Sequence, residues 1–267
     1  MTLESSLRAG RDGGRKLLVP YVTGGLGAQW TDVVRAVAAA GADAVEIGIP
    51  FSDPVMDGKT IQEASQRALD LGATPEGVVA AAADLDVDVP LVVMTYYNVV
   101  LHLGHERAAA LLATAGFAGA IVPDLPLDEL DGWGDAADGA GVATVLLAAP
   151  TTTDERLERI CARSRGFVYG VSLLGVTGER ELLAVHAAKM GARLKAVTDT
   201  PALLGVGIST ARHAVEAAAS ADGVVVGSAL VRRLLDGGGP DDAAAFVTSL
   251  RRALDAPPDG GTGPTLR

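Results

Sequence analysis

The stretch AAGADAVEIG, from Ala39 to Gly48, ends a run of alanines at Gly41 and passes directly into a short run of branched apolar residues. A glycine in this place suits the left-handed terminus of a helix, and the run after it is typical of a buried strand. Similar junctions occur as ATAGFAGAIVPD at 113–124, AGVATVLLAAP at 140–150 and ASADGVVVGS at 219–228. Repeated helix-to-strand junctions predict βα units around a parallel sheet.

On both sides of this stretch, short runs rich in Val, Ile and Leu alternate with alanine-rich stretches of helical length. We predict strands at Leu17–Thr23, Ala42–Ile49, Pro90–Thr95, Ala118–Val122, Val142–Ala148, Gly166–Ser172, Pro201–Val206 and Gly223–Val226. We predict helices at Thr31–Ala40, Thr60–Leu71, Pro75–Ala83, Glu106–Thr114, Leu127–Asp138, Asp154–Arg163, Glu181–Ala196, Ser209–Ser220, Ala229–Leu235 and Asp241–Leu254.

Eight strands and eight helical connections in about 250 residues have the size and rhythm of one (β/α)8 barrel. The sequence therefore predicts a single α/β barrel domain over residues 1–255 and a disordered tail, APPDGGTGPTLR, at 256–267. An open doubly wound sheet is the alternative. It is disfavoured because TGGLGAQ at 23–29 lacks the spacing of a dinucleotide-binding fingerprint.

The composition excludes several classes of protein. The chain has 267 residues, 49% of them hydrophobic, and a single cysteine, so it can fill a large core but cannot be a disulfide scaffold. Its 22 Lys and Arg against 33 Asp and Glu give a net charge of −11, which argues against nucleic acid and anionic membranes as partners. We find neither a signal peptide nor an apolar run near the roughly 18 residues of a membrane span, and we expect a cytosolic protein. The histidines, which have no metal-ligand spacing, are His102, His105, His186 and His213, so no metal site is predicted.

The second predicted strand carries a carboxylate where a barrel would have its active site. Alternation places Val45 and Ile47 on one face and Glu46 on the other, and the branched residues must face the helices. Glu46 therefore points into the barrel, where desolvation should raise its pKa toward values useful for proton transfer. The alternative is a structural carboxylate paired with a neighbouring hydroxyl or cation.

The loop after this strand, PFSDPVMDGKT at 50–60, carries Asp53 and Asp57. Either aspartate could cap a turn or the next helix. Asp57 is the stronger functional candidate because the loop ties it to the strand that bears Glu46. Two carboxylates in unlike environments can divide acid and base roles.

Glycine-bearing loops at the end of the barrel suggest a phosphate site. They are GVTG at 175–178, GVGIST at 205–210 and VVVGSAL at 224–230, and the last leads into a helix. Such loops after the seventh and eighth strands, with a helix N-terminus, bind phosphate in many barrels, although barrel packing also uses glycine. Tyr169 could face inward or be core, and Asp124 could orient a ligand or cap the fourth helix.

Seven sequence motifs are spread over essentially the whole chain. The most specific is GADAVEIGIPFSDPVMDGKTIQ at 41–62. The others are VPYVTGG at 19–25, MTYYN at 94–98, IVPDLP at 121–126, VYGVSLLGVTG at 168–178, GVGIS at 205–209 and VVVGSA at 224–229. In this order, the motifs resemble those of the tryptophan synthase α-subunit family.

The resemblance implies a (β/α)8 barrel that cleaves indole-3-glycerol phosphate to indole and glyceraldehyde 3-phosphate without metal or organic cofactor. It implies that Glu46 is the general acid/base, that Asp57 accepts the indole N–H, and that Tyr169 lines the site near the acid/base. The matching substrate-binding residues are Tyr21, Ile61, Met94, Ile121 and Thr177, and the phosphate-binding residues are Gly178, Gly207, Gly227 and Ser228.

Some positions depart from the family pattern. Gly24 to Gly27 replaces a Gly-Asp-Pro sequence, Met56 and Lys59 replace a small residue and proline, and Leu173-Leu174 stands where a polar residue is expected. The first two changes fall in loops that face a tryptophan synthase β subunit in the family. Two alternatives follow: a stand-alone lyase that releases free indole, or a weakly catalytic subunit that mainly binds a β-type partner.

Overall fold

The apolar residues of each strand alternate between two buried faces. In β1 (Leu17–Thr23), Val19 and Tyr21 belong to a cluster inside the sheet, whereas Leu18 and Val22 belong to a second cluster beneath the helices. Burial on both faces is the pattern of a parallel strand that is covered by helices. The same alternation along the other strands produces one inner and one outer core.

A computed structural model describes residues 2–171 and 180–256. In this part of the chain, eight parallel strands pair in sequence order and close into a barrel, because β8 pairs with β1. The (β/α)8 prediction is therefore confirmed. After β1 the strands are β2 (Val45–Gly48), β3 (Leu91–Met94), β4 (Phe117–Ile121), β5 (Ala143–Ala148), β6 (Val168–Val171), β7 (Ala202–Gly205) and β8 (Gly223–Val226).

Helices cover the outside of the barrel and follow the predicted order. They are α1 (Leu3–Asp12), α2 (Trp30–Ala39), α3 (Lys59–Asp70), α4 (Pro75–Ala83), α5 (Tyr97–Leu103), α6 (His105–Thr114), α7 (Asp131–Ala140), α8 (Asp154–Arg163), α9 (Arg180–Val197), α10 (Ala211–Ala218), α11 (Ser228–Leu235) and α12 (Pro240–Asp255), with a short 3₁₀ turn at Leu127–Glu129. None of the described helices is long and apolar enough to cross a membrane. The predicted tail lies, apart from Ala256, outside the described residues.

Helix α1 was not predicted from the sequence. Thr2 caps it by exchanging hydrogen bonds with Ser5, and its two apolar side chains, Leu3 and Leu7, are fully buried in the inner cluster. Leu3 lies at the N-terminal end of the barrel, where a Cβ on Gly166 would come within 2.5 Å of it. The helix therefore covers that end of the barrel.

Helix α5, a short helix that begins soon after β3, was not predicted either. It ends at Gly104, whose φ of +84° suits glycine and lets α6 begin in a new direction. Because α5 starts at the C-terminal end of the barrel, the residue before it, Tyr96, is held beside the loop that follows β2.

Candidate active site

Glu46 lies inside the barrel near the C-terminal end of β2. Val45 and Ile47 pack in the outer core, so Glu46 must face inward, and only 3% of it is exposed. Its Oε2 atom has no hydrogen-bond partner among the described residues. Burial, and secondly the nearby charge of Asp57, raise the pKa of Glu46 to about 8. A carboxyl group of this kind still holds its proton at neutral pH and can act as an acid.

Asp57 is held by backbone contacts in the loop between β2 and α3. Its N–H donates to the Pro54 carbonyl at 3.1 Å, and its carbonyl accepts from Gln62 Nε2 at 2.8 Å. Burial raises the pKa of Asp57 to about 6, and a hydrogen bond from Tyr96 opposes that rise. Near pH 7, Asp57 is therefore the ionised member of the pair and Glu46 the protonated one.

Two tyrosines of the inner face fit against glycines of the neighbouring strands. A Cβ on Gly48 would lie 1.9 Å from the hydroxyl oxygen of Tyr21, and a Cβ on Gly205 would lie 2.5 Å from the ring of Tyr169. Burial, with smaller contributions from Glu46 and Asp57, raises the pKa of both phenols well above their ordinary value. Both stay neutral and present hydroxyl groups to the site.

Two cavities meet at the carboxylates, at the C-terminal ends of the strands. Their volumes are about 150 and 200 Å³. Both are lined by Glu46, Asp57, Met94, Tyr169 and Gly205. The first, which we call the glycine cavity, is also lined by Tyr21, Ile61, Gly207, Ile208, Val225, Gly227 and Ser228. The second, which we call the apolar cavity, is also lined by Met56, Ile121, Pro123, Leu147 and Val171.

The glycine cavity has the features of an anion site. Helix α11 begins at Ser228, directly after Gly227, so its first N–H groups are directed toward this end of the barrel. Gly207 has a φ of +74°, a conformation that glycine adopts readily. No Lys or Arg occurs among the described residues that line the cavity, so an anion would be bound by N–H groups and the helix dipole.

The structure brings together most of the residues that the sequence analysis selected. The site residues that line one or both cavities are Glu46, Asp57, Tyr169, Tyr21, Ile61, Met94, Ile121, Gly207, Gly227 and Ser228. Thr177 and Gly178, together with the departure at Leu173-Leu174, lie outside the described residues.

The two suggestions for Asp124 need correction. Asp124 does not line either cavity, and it does not cap the helix that follows β4. Its carboxylate instead accepts the backbone N–H of Tyr97 at 2.8 Å, at the start of α5. Asp124, which follows β4, therefore stabilises the start of α5, the helix that follows β3.

Sequence reasoning missed Tyr96, which contacts the Asp57 loop. Its hydroxyl accepts the Met56 N–H at 3.0 Å, and its ring stacks on Phe51 with centroids 5.0 Å apart. The sequence signal is its place in MTYYN, two residues beyond Met94, where the inward alternation of β3 continues. The apolar residues Leu147 and Val171 were also missed, although counting inward positions along β5 and β6 would have found them.

The described residues contain no cluster of three or more His, Cys, Asp or Glu side chains that could hold a metal ion. The ionisable side chains that face the cavities are therefore Glu46, Asp57 and the two tyrosines. This set can move protons and stabilise a nearby positive charge.

The fold and site together define a (β/α)8-barrel enzyme with two carboxyl groups at the C-terminal ends of its strands. Residues 7–253 match the family model described as tryptophan synthase alpha chain. The chain is 45% identical to the tryptophan synthase alpha chain of Streptomyces coelicolor, over 95% of this chain and 94% of that one. It is 42% identical to that of Thermobifida fusca, over 95% and 96%. The chain belongs to the tryptophan synthase alpha chain family.

Solved structures agree with this assignment. A structure of Mycobacterium tuberculosis tryptophan synthase has a TM-score of 0.88 and 36% identity, over 96% of this chain and 98% of that one. The tryptophan synthase subunit alpha of Legionella pneumophila has a TM-score of 0.87 and 29% identity, over 96% and 99%. The similarity therefore covers the barrel as a whole and is not limited to the site motifs.

Proposed function

We propose that this chain is a carbon–carbon lyase that cleaves indole-3-glycerol phosphate to indole and glyceraldehyde 3-phosphate. The observation that carries the proposal is the position of Glu46 and Asp57 between the apolar cavity and the glycine cavity. An indole ring suits the first and a phosphate suits the second. The bond that joins ring and side chain would then lie beside the two carboxyl groups.

Glu46 has the protonation state that the cleavage requires. A protonated Glu46 gives its proton to C3 of the indole ring, and the C3 to glycerol bond can then break. The glycerol hydroxyl on the departing carbon loses its proton to the Glu46 carboxylate and becomes the aldehyde, while the electrons of the broken bond restore the aromatic ring. Glu46 ends the cycle as it began, so the protons balance.

Asp57 stabilises the intermediate of this reaction. Protonation at C3 places positive charge on the ring nitrogen, and an ionised Asp57 that accepts the ring N–H offsets that charge. The pKa of Asp57, about 6, leaves it ionised at neutral pH. The hydroxyls of Tyr21 and Tyr169 remain neutral donors beside the reacting atoms.

The substrate phosphate is assigned to the glycine cavity, with Gly207, Gly227, Ser228 and Gly178 as its contacts. Three of these lie in the described part of the chain and line that cavity: Gly207 in the loop after β7, and Gly227 and Ser228 at the N-terminus of α11. Ile61, Met94 and Ile121, with Thr177 from the sequence motif, are assigned to the rest of the substrate.

The pKa values of the two carboxyl groups predict a bell-shaped pH profile. Asp57 must be ionised, so kcat/KM should fall below about pH 6. Glu46 must hold its proton, so kcat/KM should fall above about pH 8. Because the groups interact, the two limbs report the pair. Steady-state indole release measured across this range tests the prediction, and a rate that still rises above pH 9 would contradict it.

We also propose a tryptophan synthase β subunit as the partner. The loop after β2 and helix α5 of the next βα unit expose apolar side chains at the C-terminal face: Val55 is 72% exposed and Leu101 is 58% exposed. An exposed apolar surface beside the site suits a protein partner. The retained Asp53 and the flanking prolines of the loop favour a chain that depends on its partner.

Indole release by the purified chain, with and without a β subunit from the same source, tests both proposals. We expect slow release alone and an acceleration of roughly 5- to 150-fold with the partner, which is the range of an ordinary coupling free energy. Val55→Asp should lose the acceleration. Leu71→Asp, which changes a similarly exposed residue at the far end of α3, should keep it. A free chain that is fast and gains nothing from the partner would favour the stand-alone lyase.

A further inference from the structure

The two cavities that meet at the carboxyl groups divide the contacts of the site unequally. Glu46 and Asp57 line both cavities, so the acid/base pair is accessible from each. The described residues to which the substrate phosphate is assigned line the glycine cavity alone; they are Gly207, Gly227 and Ser228. The apolar cavity therefore reaches both carboxyl groups but includes none of these phosphate contacts.

Strands of the barrel form one side of the apolar cavity. Met94 of β3 and Ile121 of β4 are register partners, and so are Leu147 of β5 and Tyr169 of β6. All four belong to the inner cluster or pack against it. Side chains on paired strands are held in place by the sheet, so this side of the cavity is formed whether or not an anion occupies the glycine cavity.

The Glu46 carboxyl group has an oxygen atom that no other group engages. Oε2 is buried and has no hydrogen-bond partner among the described residues. Protonation of a ring carbon needs an acid whose proton is free, and burial raises the pKa of Glu46 to about 8, so it holds its proton at neutral pH. A free indole ring in the apolar cavity therefore meets the acid and the ionised Asp57 without any other part of the substrate.

We propose that the chain has a further activity at the apolar cavity: it exchanges the C3 hydrogen of free indole with solvent, and it needs neither an aldehyde nor a phosphate to do so. The substrates are indoles with an unsubstituted C3 and a free N–H. The inference rests on the proposed function, which assigns the ring to this cavity and the transferred proton to Glu46. It extends that function to a ligand that lacks the whole glycerol phosphate.

The exchange balances without an oxidant or any reactant other than water. The Glu46 O–H bond breaks while a C3–H bond forms from a π-electron pair of the ring, and Asp57 offsets the positive charge on the ring nitrogen. In the proposed cleavage, the group that leaves C3 lies on the side of the glycine cavity, and free indole has a hydrogen there. Water in the glycine cavity takes this hydrogen as a proton, and its electron pair returns to the ring. Glu46 then regains a proton from solvent.

The test follows the C3 hydrogen of free indole by proton NMR in D₂O, with the purified chain and no partner. We expect the C3 signal to decay about 10²-fold faster than without the chain, while the signals of the benzene ring stay constant. Glu46→Gln should return the decay to the rate without protein. Glu76→Gln, on the exposed first turn of α4, is the matched control and should exchange normally.

The pH dependence distinguishes Glu46 from acid in solution. Exchange without protein becomes steadily faster as pH falls, because the acid is the hydronium ion. Exchange by the chain should instead be fastest between about pH 6 and pH 8, where Asp57 is ionised and Glu46 is protonated. This measurement needs no variant, so it decides the inference even if Glu46→Gln does not fold.

Two ligands test the assignment of exchange to the apolar cavity. 1-Methylindole lacks the N–H that Asp57 accepts, so the chain should accelerate its exchange at least about tenfold less than that of indole. Glycerol 3-phosphate displaces water from the glycine cavity and should slow the exchange of indole at least about fivefold. Equal acceleration of both indoles, or faster exchange with glycerol 3-phosphate, would contradict the inference.

Cleavage of indole-3-glycerol phosphate by the same chain is measured in parallel, so that the two proposals fail separately. A chain that cleaves this substrate but leaves the C3 signal of indole at the rate without protein would overturn the inference alone. Exchange that Glu46→Gln abolishes, in a chain that does not cleave, would support the inference and overturn the proposed function. Equal exchange in Glu46→Gln and the unaltered chain would show that Glu46 is not the acid.

Discussion

Glu46→Gln should lose at least about 10²-fold in turnover of indole-3-glycerol phosphate, because glutamine keeps the size of the side chain but cannot give or take the proton. Substrate binding should change little, since the phosphate and ring contacts lie on other residues. Steady-state indole release gives kcat and KM. Glu76→Gln, on an exposed first turn of α4, is the matched control and should turn over normally.

The same substitution should not destabilise the fold, and the sign follows from the pKa. Folding raises the pKa of Glu46 from 4.5 to about 8, so between these pH values the folded chain holds more protons than the unfolded chain. Stability due to this group is full below about pH 4.5 and is lost as pH rises through about 8. Glutamine removes that loss, and the melting temperature of Glu46→Gln near pH 8 should equal or exceed that of the unaltered chain. Turnover within a few-fold of normal would show that Glu46 is not the acid.

Much of this site is predictable from the sequence because a strand has only two faces. Once Val45 and Ile47 are assigned to the helices, Glu46 has to point inward, and the structure places it there. The glycine loops are equally accessible to sequence reasoning, since parallel strands of a barrel all end at the same face. Neither deduction requires a knowledge of distances.

Other features depend on packing that has no local signature. Helix α1 contains only two buried side chains in ten residues, and it gains its stability from the barrel end that Leu3 fills. From the sequence alone, Gly48 could be a strand residue or part of a turn, and nothing near it shows why a glycine is needed. In the structure, the side chain of Tyr21 occupies the space where a Cβ on Gly48 would lie.

The inward direction of Tyr96 follows the alternation of β3, since Val92, Met94 and Tyr96 all belong to the inner cluster. The partner of its hydroxyl could not be predicted, because that partner is the backbone N–H of Met56, 40 residues away in the chain. A contact between a backbone group and a distant side chain leaves no pattern in one sequence.

The phosphate assignment can be tested at Gly227 without disturbing the fold. The three atoms nearest to a Cβ added at Gly227 all belong to Tyr21, at ordinary contact distances of 3.6 to 3.9 Å, and the φ of −108° lies outside the left-handed region that favours glycine. Gly207 is a poorer choice because its φ of +74° would strain a side chain. Changes at Gly227 therefore report on the cavity itself.

Gly227→Asp should weaken phosphate-bearing ligands by about 10³-fold, because a carboxylate some 4 Å from an anion near a protein surface costs about 4 kcal/mol. Gly227→Asn has almost the same size without the charge, so it isolates the electrostatic part and should lose only about tenfold. The dissociation constant of glycerol 3-phosphate, measured by isothermal titration calorimetry, tests this prediction. kcat/KM for indole-3-glycerol phosphate should fall in parallel. If both variants lose the same affinity for glycerol 3-phosphate, the size of the added side chain and not its charge is responsible. If neither loses affinity, the anion binds elsewhere, because no phosphate dianion held by the N–H groups of α11 could tolerate a carboxylate at its first turn.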